Sequence, residues 1–123
     1  MNKQDFSLVK RAKSFSHAFR GIFIVAKTQP SLYLHVLIGA FLVTLGLHYH
    51  IHQTSWLFLI IAGGMVLVTE TINTAIEIDI NLTSPEFHPF ARDTKDVAAG
   101  AVLISGFVLL IVSIIIFLPK IIA

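Results

Sequence analysis

Glu70, Asn73 and Glu77 stand at i, i+3 and i+7 inside a hydrophobic run, and Lys95 and Asp96 follow after a polar connection. At about 100° per residue, a helix puts the first three on one face. Asn81, eleven residues beyond Glu70, returns to that face, while Asp79 points to the opposite side. Ionisable groups inside apolar stretches are costly and are mostly functional. These residue types suit the binding of a metal-nucleotide beside a lipid. Phosphoryl transfer asks a protein for charge neutralisation, metal ligands and a base or positioner for the attacking hydroxyl. Magnesium is commonly held by one or two carboxylates plus phosphate oxygens, which suits Glu77. Glu70, about two turns deeper, suits a general base for an alcohol embedded in lipid. Lys95 suits phosphates as a mobile point charge. A structural role fits the same spacing: Glu70 and Asn73 would pair helices in an oligomer, and Lys95 and Asp96 would mark the water edge of a third helix. Spacing alone does not choose between the two readings.

The rest of the chain must place these groups. It has 123 residues, of which 55% are hydrophobic and 13% charged. Soluble domains usually carry about 25% charged residues, so this composition points to a membrane protein. The length fits one membrane domain over 1–123, with no room for a separate soluble enzyme domain. The absence of cysteine excludes thiolate chemistry and disulfides. No P-loop, glycine-rich phosphate cradle, kinase catalytic loop, Gly-x-Ser-x-Gly or His-Glu-x-x-His is present. The N-terminus does not read as a signal peptide, because the first apolar run is long and starts only after about thirty residues.

Residues 5–28 read as an amphipathic helix lying on the membrane surface. Leu8, Ala12, Phe15, Phe19, Ile22 and Ala26 form its apolar stripe, and Lys13, Arg20 and Lys27 form a basic stripe beside it. That basic stripe suits anionic lipid headgroups and could also meet phosphates. Pro30 ends the helix, with Gln29 as the corner. Transmembrane helices are expected over 31–51, 56–80 and 97–118. Gly39, Gly46, Gly63 and Gly64 are expected to permit close helix contacts. The connection between the first two spans carries His48, His50 and His52, which read as an interfacial turn more readily than as metal ligands. Ser84-Pro85-Glu86 reads as the start of a short helix, which Pro89 breaks, and Pro119 and Lys120 end the last span. Six of the nine Lys/Arg precede residue 28, the second connection carries Arg92 and Lys95, and the histidine loop carries none. The positive-inside rule then puts the N-terminus and the Glu70–Asp96 cluster in the cytoplasm and the C-terminus outside, with Lys120 a minor exception.

Two blocks resemble the signatures of the small prokaryotic diacylglycerol kinase and undecaprenol kinase family. They are Glu70-x-x-Asn73-Thr74-Ala75-Ile76-Glu77 and Lys95-Asp96-Val97-Ala98-Ala99-Gly100. Between them, Glu86-Phe87-His88 is similar to that family's acid-aromatic-histidine element, and the resemblance covers nearly the whole chain. It implies a homotrimer of three-span protomers with active sites shared between neighbours at the cytoplasmic surface of the plasma membrane. It implies transfer of the ATP γ-phosphate to a lipid alcohol, with Mg2+ as cofactor and no nucleic-acid partner. Glu70 would be the catalytic base, supported by Asn73. Glu77 would hold magnesium and contact nucleotide, and Lys95 and Asp96 would bind ATP with Glu86 and His88 nearby. Lys10 and His17 fall where the family contacts nucleotide, His17 standing in for a usual tyrosine. The Ala98-Ala99-Gly100 motif looks more like the undecaprenol kinase branch than the diacylglycerol kinase branch. Two positions depart from the pattern: Gln29 replaces a usual glutamate that serves as a second metal ligand, and Asn81 replaces a usual aspartate. Both remove negative charge. They motivate an alternative function, a catalytically weakened relative acting as a membrane nucleotide-binding or assembly protein.

Overall fold

The structure, a computed structural model, describes residues 7–123, so the first two residues of the expected 5–28 helix lie outside the described residues. It is all-helical, with α1 over Leu8–Thr28, α2 over Pro30–Tyr49, α3 over Gln53–Thr83 and α4 over Pro89–Ile121. The last three are long and apolar enough to cross a membrane.

Each helix end has a local cause. The Ser7 hydroxyl accepts the Lys10 backbone N–H at 3.3 Å and starts α1. Gln29 is extended (φ −114°, ψ 100°), the conformation a following proline demands, and Pro30 opens α2, where its missing N–H costs nothing. His50 closes α2 in the left-handed region (φ 50°, ψ 53°), its N–H bonded to the Gly46 carbonyl. Only His50, Ile51 and His52 join α2 to α3. Ile51 is buried and fastens this turn to the apolar core.

α3 and α4 outrun the expected spans, whereas α2 stops at Tyr49, two residues short of the expected end at Ile51, because His50 turns the chain in the left-handed region. α3 begins at Gln53 and ends at Thr83, so at about 1.5 Å per residue it is roughly 46 Å long against a hydrocarbon core of about 30 Å. The Ser84-Pro85-Glu86 stretch does not start a helix. Ser84 instead caps the C-terminus of α3, its N–H donating to the Ile80 carbonyl at 2.8 Å. Pro89 does not break a helix but begins α4, where His88 Nδ1 accepts the Phe90 N–H at 3.2 Å. Residues expected in a polar loop before 97 therefore continue the third span as helix. Pro119 lies within α4, which runs on to Ile121. The missing proline N–H removes one intrahelical bond in the last turn, where few further bonds depend on it.

α4 packs along α3, and this is the main contact between helices. Midway, the Thr69 and Ser105 hydroxyls lie 2.8 Å apart, Ser105 being fully buried. At the end away from the carboxylates, Ile51, Leu59 and Phe117 form a core flanked by Tyr49 and Trp56. Gly46 is required there, because a Cβ would lie 2.5 Å from the Trp56 ring. Gly39, Gly63 and Gly64 make no close helix contact within the protomer. They have open space around them and line a cavity of about 300 Å³ between α2 and α3. α1 leaves Phe15, Phe19, Ile22 and Phe23 exposed and buries Val25 near its junction with α2.

Candidate active site

The first two turns of α2 run antiparallel to the C-terminal half of α3, so side chains near Pro30 meet the carboxylates. Ser31 and His35 are one turn apart and reach the same residue, Glu70. The Ser31 hydroxyl donates to Glu70 Oε1 at 2.7 Å, and His35 Nε2 lies 3.4 Å from Oε2. Glu70 is 4% exposed. A carboxylate so buried requires polar partners, and α2 supplies a hydroxyl and an imidazole. Thr74 bonds the Glu70 carbonyl at 2.9 Å and is itself fully buried, which fixes the local turn of α3.

Two turns outward, half-buried Glu77 is held by amides. Asn73 Nδ2 donates to its Oε1 at 3.3 Å, and Gln29 Nε2 donates to its Oε2 at 3.4 Å. Asn73 Oδ1 is buried with no hydrogen-bond partner. An orphan acceptor of this kind calls for an explanation. The two amides also carry carbonyl oxygens, and an amide rotated by half a turn exchanges its nitrogen for its oxygen. Glu77, Gln29 and Asn73 can thus present one carboxylate and two neutral oxygens to a single point. That donor set fits magnesium, which needs few protein ligands when substrate phosphates complete its shell. Among the described residues no cluster of three acidic or histidine side chains is placed to hold a metal, and Glu77 is the one carboxylate of this trio.

Beyond Glu77 the projecting ends of α3 and α4 enclose a polar cleft of about 350 Å³. Asn81, Glu86, His88, Arg92, Lys95 and Asp96 line it. Lys95 Nζ donates to Asn81 Oδ1 at 2.6 Å, so the lysine is held by a neutral partner. Asp96 lies 4.0 Å from Arg92, both well exposed, in a pair worth little in water. His88 spends one ring nitrogen on capping α4.

The structure brings together Gln29, Glu70, Asn73 and Glu77, and places Glu86, His88, Lys95 and Asp96 around the adjoining cleft. Lys10 and His17 do not line that cleft; they lie on exposed positions of α1. Asp79 is exposed and points away from the cluster. Sequence reasoning missed Ser31 and His35 as partners of Glu70. The available signal was their i, i+4 spacing six residues or fewer from Gln29, but nothing in it named the facing helix.

The sequence profile of the prokaryotic diacylglycerol kinase family matches residues 16–117. A Bacillus subtilis protein named undecaprenol kinase is 34% identical over 108 residues, covering 88% of each chain. A Helicobacter pylori protein named diacylglycerol kinase is 32% identical over 107 residues, covering 81% of this chain and 84% of that one. A Synechocystis protein, also named diacylglycerol kinase, is 30% identical over 111 residues, covering 89% of this chain and 63% of its own length.

Proposed function

The chain belongs to the prokaryotic diacylglycerol kinase family and is a lipid kinase, and on that premise we propose that it transfers the γ-phosphoryl group of ATP to a membrane lipid alcohol, undecaprenol in preference to diacylglycerol. The observation that carries this reading is the convergence of α2 on two carboxylates of one α3 face, a buried one reached by His35, which lines the apolar cavity, and a half-buried one a turn from Asn81, which lines the polar cleft. The lipid hydroxyl meets Glu70, which takes its proton as the oxygen attacks phosphorus. Asn73 steadies the turn between the two glutamates. Lys95 binds nucleotide phosphates, with Asp96, Glu86 and His88 at the cleft wall. Glu77, with the carbonyl oxygens of Gln29 and Asn73, would hold Mg2+, which when bound offsets the charge of the phosphate oxygens.

The preference for undecaprenol is supported by the identity to the Bacillus subtilis relative of that name and by Ala98-Ala99-Gly100. We place the protein in the plasma membrane with α1 on the cytoplasmic surface, because its lysines and arginines cluster at the end of the bundle that bears the site. A homotrimer with shared sites would let a neighbour's α1 bring Lys10 and His17 to the cleft that they do not line in their own protomer. Purified protein given labelled ATP, magnesium and either undecaprenol or diacylglycerol should phosphorylate the lipid above a Glu70→Gln control. Failure with both lipids overturns the proposal. The neutral amide of Gln29 at Glu77 favours a second reading, a weakened relative that binds nucleotide without turnover. Rapid turnover by the unaltered chain removes it.

A further inference from the structure

α2 brings two side chains to Glu70: the Ser31 hydroxyl donates to Oε1 at 2.7 Å, and His35 Nε2 lies 3.4 Å from Oε2. The Glu70 side chain is 5% exposed and that of His35 20%. A base that has taken a proton must release it before the next turnover, and while lipid covers the little of Glu70 that is exposed, the groups left beside it are Ser31 and His35. Of its two neighbours, a serine hydroxyl does not hold an extra proton at neutral pH, whereas imidazole does so readily. Among the described residues Glu70 is the one charged group within ion-pair distance of His35. The neighbouring walls are apolar, formed by Ala99, Val102 and Leu103 of α4 and by Gly63 and Leu67 of α3.

We propose that Ser31 and His35 are positioning residues for Glu70, and that His35 is also the outlet for the proton Glu70 collects. This rests on the reading of Glu70 as the base. As the lipid oxygen bonds to phosphorus, its O–H bond breaks and the proton goes to Glu70 Oε2, while the bond from the γ-phosphorus to the bridging oxygen breaks and ADP leaves with that electron pair. The proton then moves from Oε2 to His35 Nε2. The carboxylate is restored, and the imidazolium releases the proton from the exposed edge of its ring, in the second turn of α2 at the end of the bundle that bears the site. Ser31 stays on Oε1 throughout and keeps Oε2 directed at the histidine.

The test measures lipid kinase turnover across the neutral pH range for the full-length protein in lipid nanodiscs, using undecaprenol, ATP and magnesium. The variants are His35→Gln, His35→Ala with and without imidazole, Ser31→Ala and Glu70→Gln. His35→Gln should lower kcat roughly tenfold or more with KM for ATP unchanged, and should shift the acid limb of the profile, since a protonated His35 can no longer accept. Imidazole should restore part of the activity of His35→Ala. Ser31→Ala should lower kcat less and leave the profile in place. Wild-type kcat and profile in His35→Gln, with Glu70→Gln inactive, overturn the relay and leave the base standing. A lower kcat with neither a shifted profile nor imidazole rescue overturns the relay too. Full activity in Glu70→Gln removes the base and this inference with it.

Discussion

Glu70 and Glu77 stand two turns apart on one face of α3, and α2 treats them differently. It meets Glu70 with a hydroxyl and an imidazole and leaves it 4% exposed. It meets Glu77 with the long, neutral amide of Gln29 and leaves it half-buried. The first arrangement fixes a carboxylate in one orientation beside an apolar cavity. The second leaves a carboxylate with weak, rotatable partners beside a polar cleft. In the proposed function, residue type therefore does not divide the labour between two identical side chains. Depth and the facing helix do: a fixed, water-poor carboxylate suits proton transfer, and a loosely held one suits an exchangeable cation and its phosphate.

The sharpest way to break this contrast is to remove the charge of each glutamate in turn. Glu70→Gln should cost about 10²- to 10⁴-fold in kcat at saturating magnesium and ATP, the usual weight of a general base. Glu77→Gln should raise the magnesium concentration needed for half-maximal rate, and excess magnesium should recover part of its activity. Equal responses of the two variants to magnesium would erase the distinction. Lys95→Met comes next. Losing a charge-assisted contact to phosphate should raise KM for ATP by about tenfold or more, with the lipid KM unchanged, as steady-state kinetics can separate. Gln29→Glu tests the outer half alone. A second carboxylate at Glu77 should tighten magnesium binding on the order of tenfold, read by calorimetry, and leave the Glu70 half unaffected. The smallest effect is expected at the far end of the bundle. His50→Gly relieves a left-handed residue and should stabilise the protein by about 1 kcal/mol in a denaturation series, with kinetics unchanged. A change in kcat there would show that the two ends are coupled.

Much of the site was legible because helical phase is a local property. Glu70, Asn73 and Glu77 share a face by spacing alone, and Asp79 leaves it for the same reason. Pro30 marked the corner after α1, since proline constrains the residue before it whatever the tertiary setting. Proline misled elsewhere. Pro89 begins a helix and does not break one, and the difference depends on whether the preceding residue can cap, as His88 does. Gly46 accepts the Trp56 ring, but Gly39, Gly63 and Gly64 face open space, because a missing side chain permits contact without requiring it.

Composition, hydropathy and periodicity by themselves determined a chain with three apolar helices, a basic N-terminal segment and a carboxylate face near one end of the bundle. These follow from the chain's own repeat and from the cost of placing charge in hydrocarbon. Only the tertiary structure decided that Ser31 and His35 reach Glu70 while Gln29 reaches Glu77, and that Asn81 takes Lys95. Those pairings depend on the relative height and rotation of α2, α3 and α4. That register is held by contacts along the helices, among them the Thr69–Ser105 pair midway and the packing around Gly46, Trp56 and Phe117 at the opposite end, far in sequence from the residues they align.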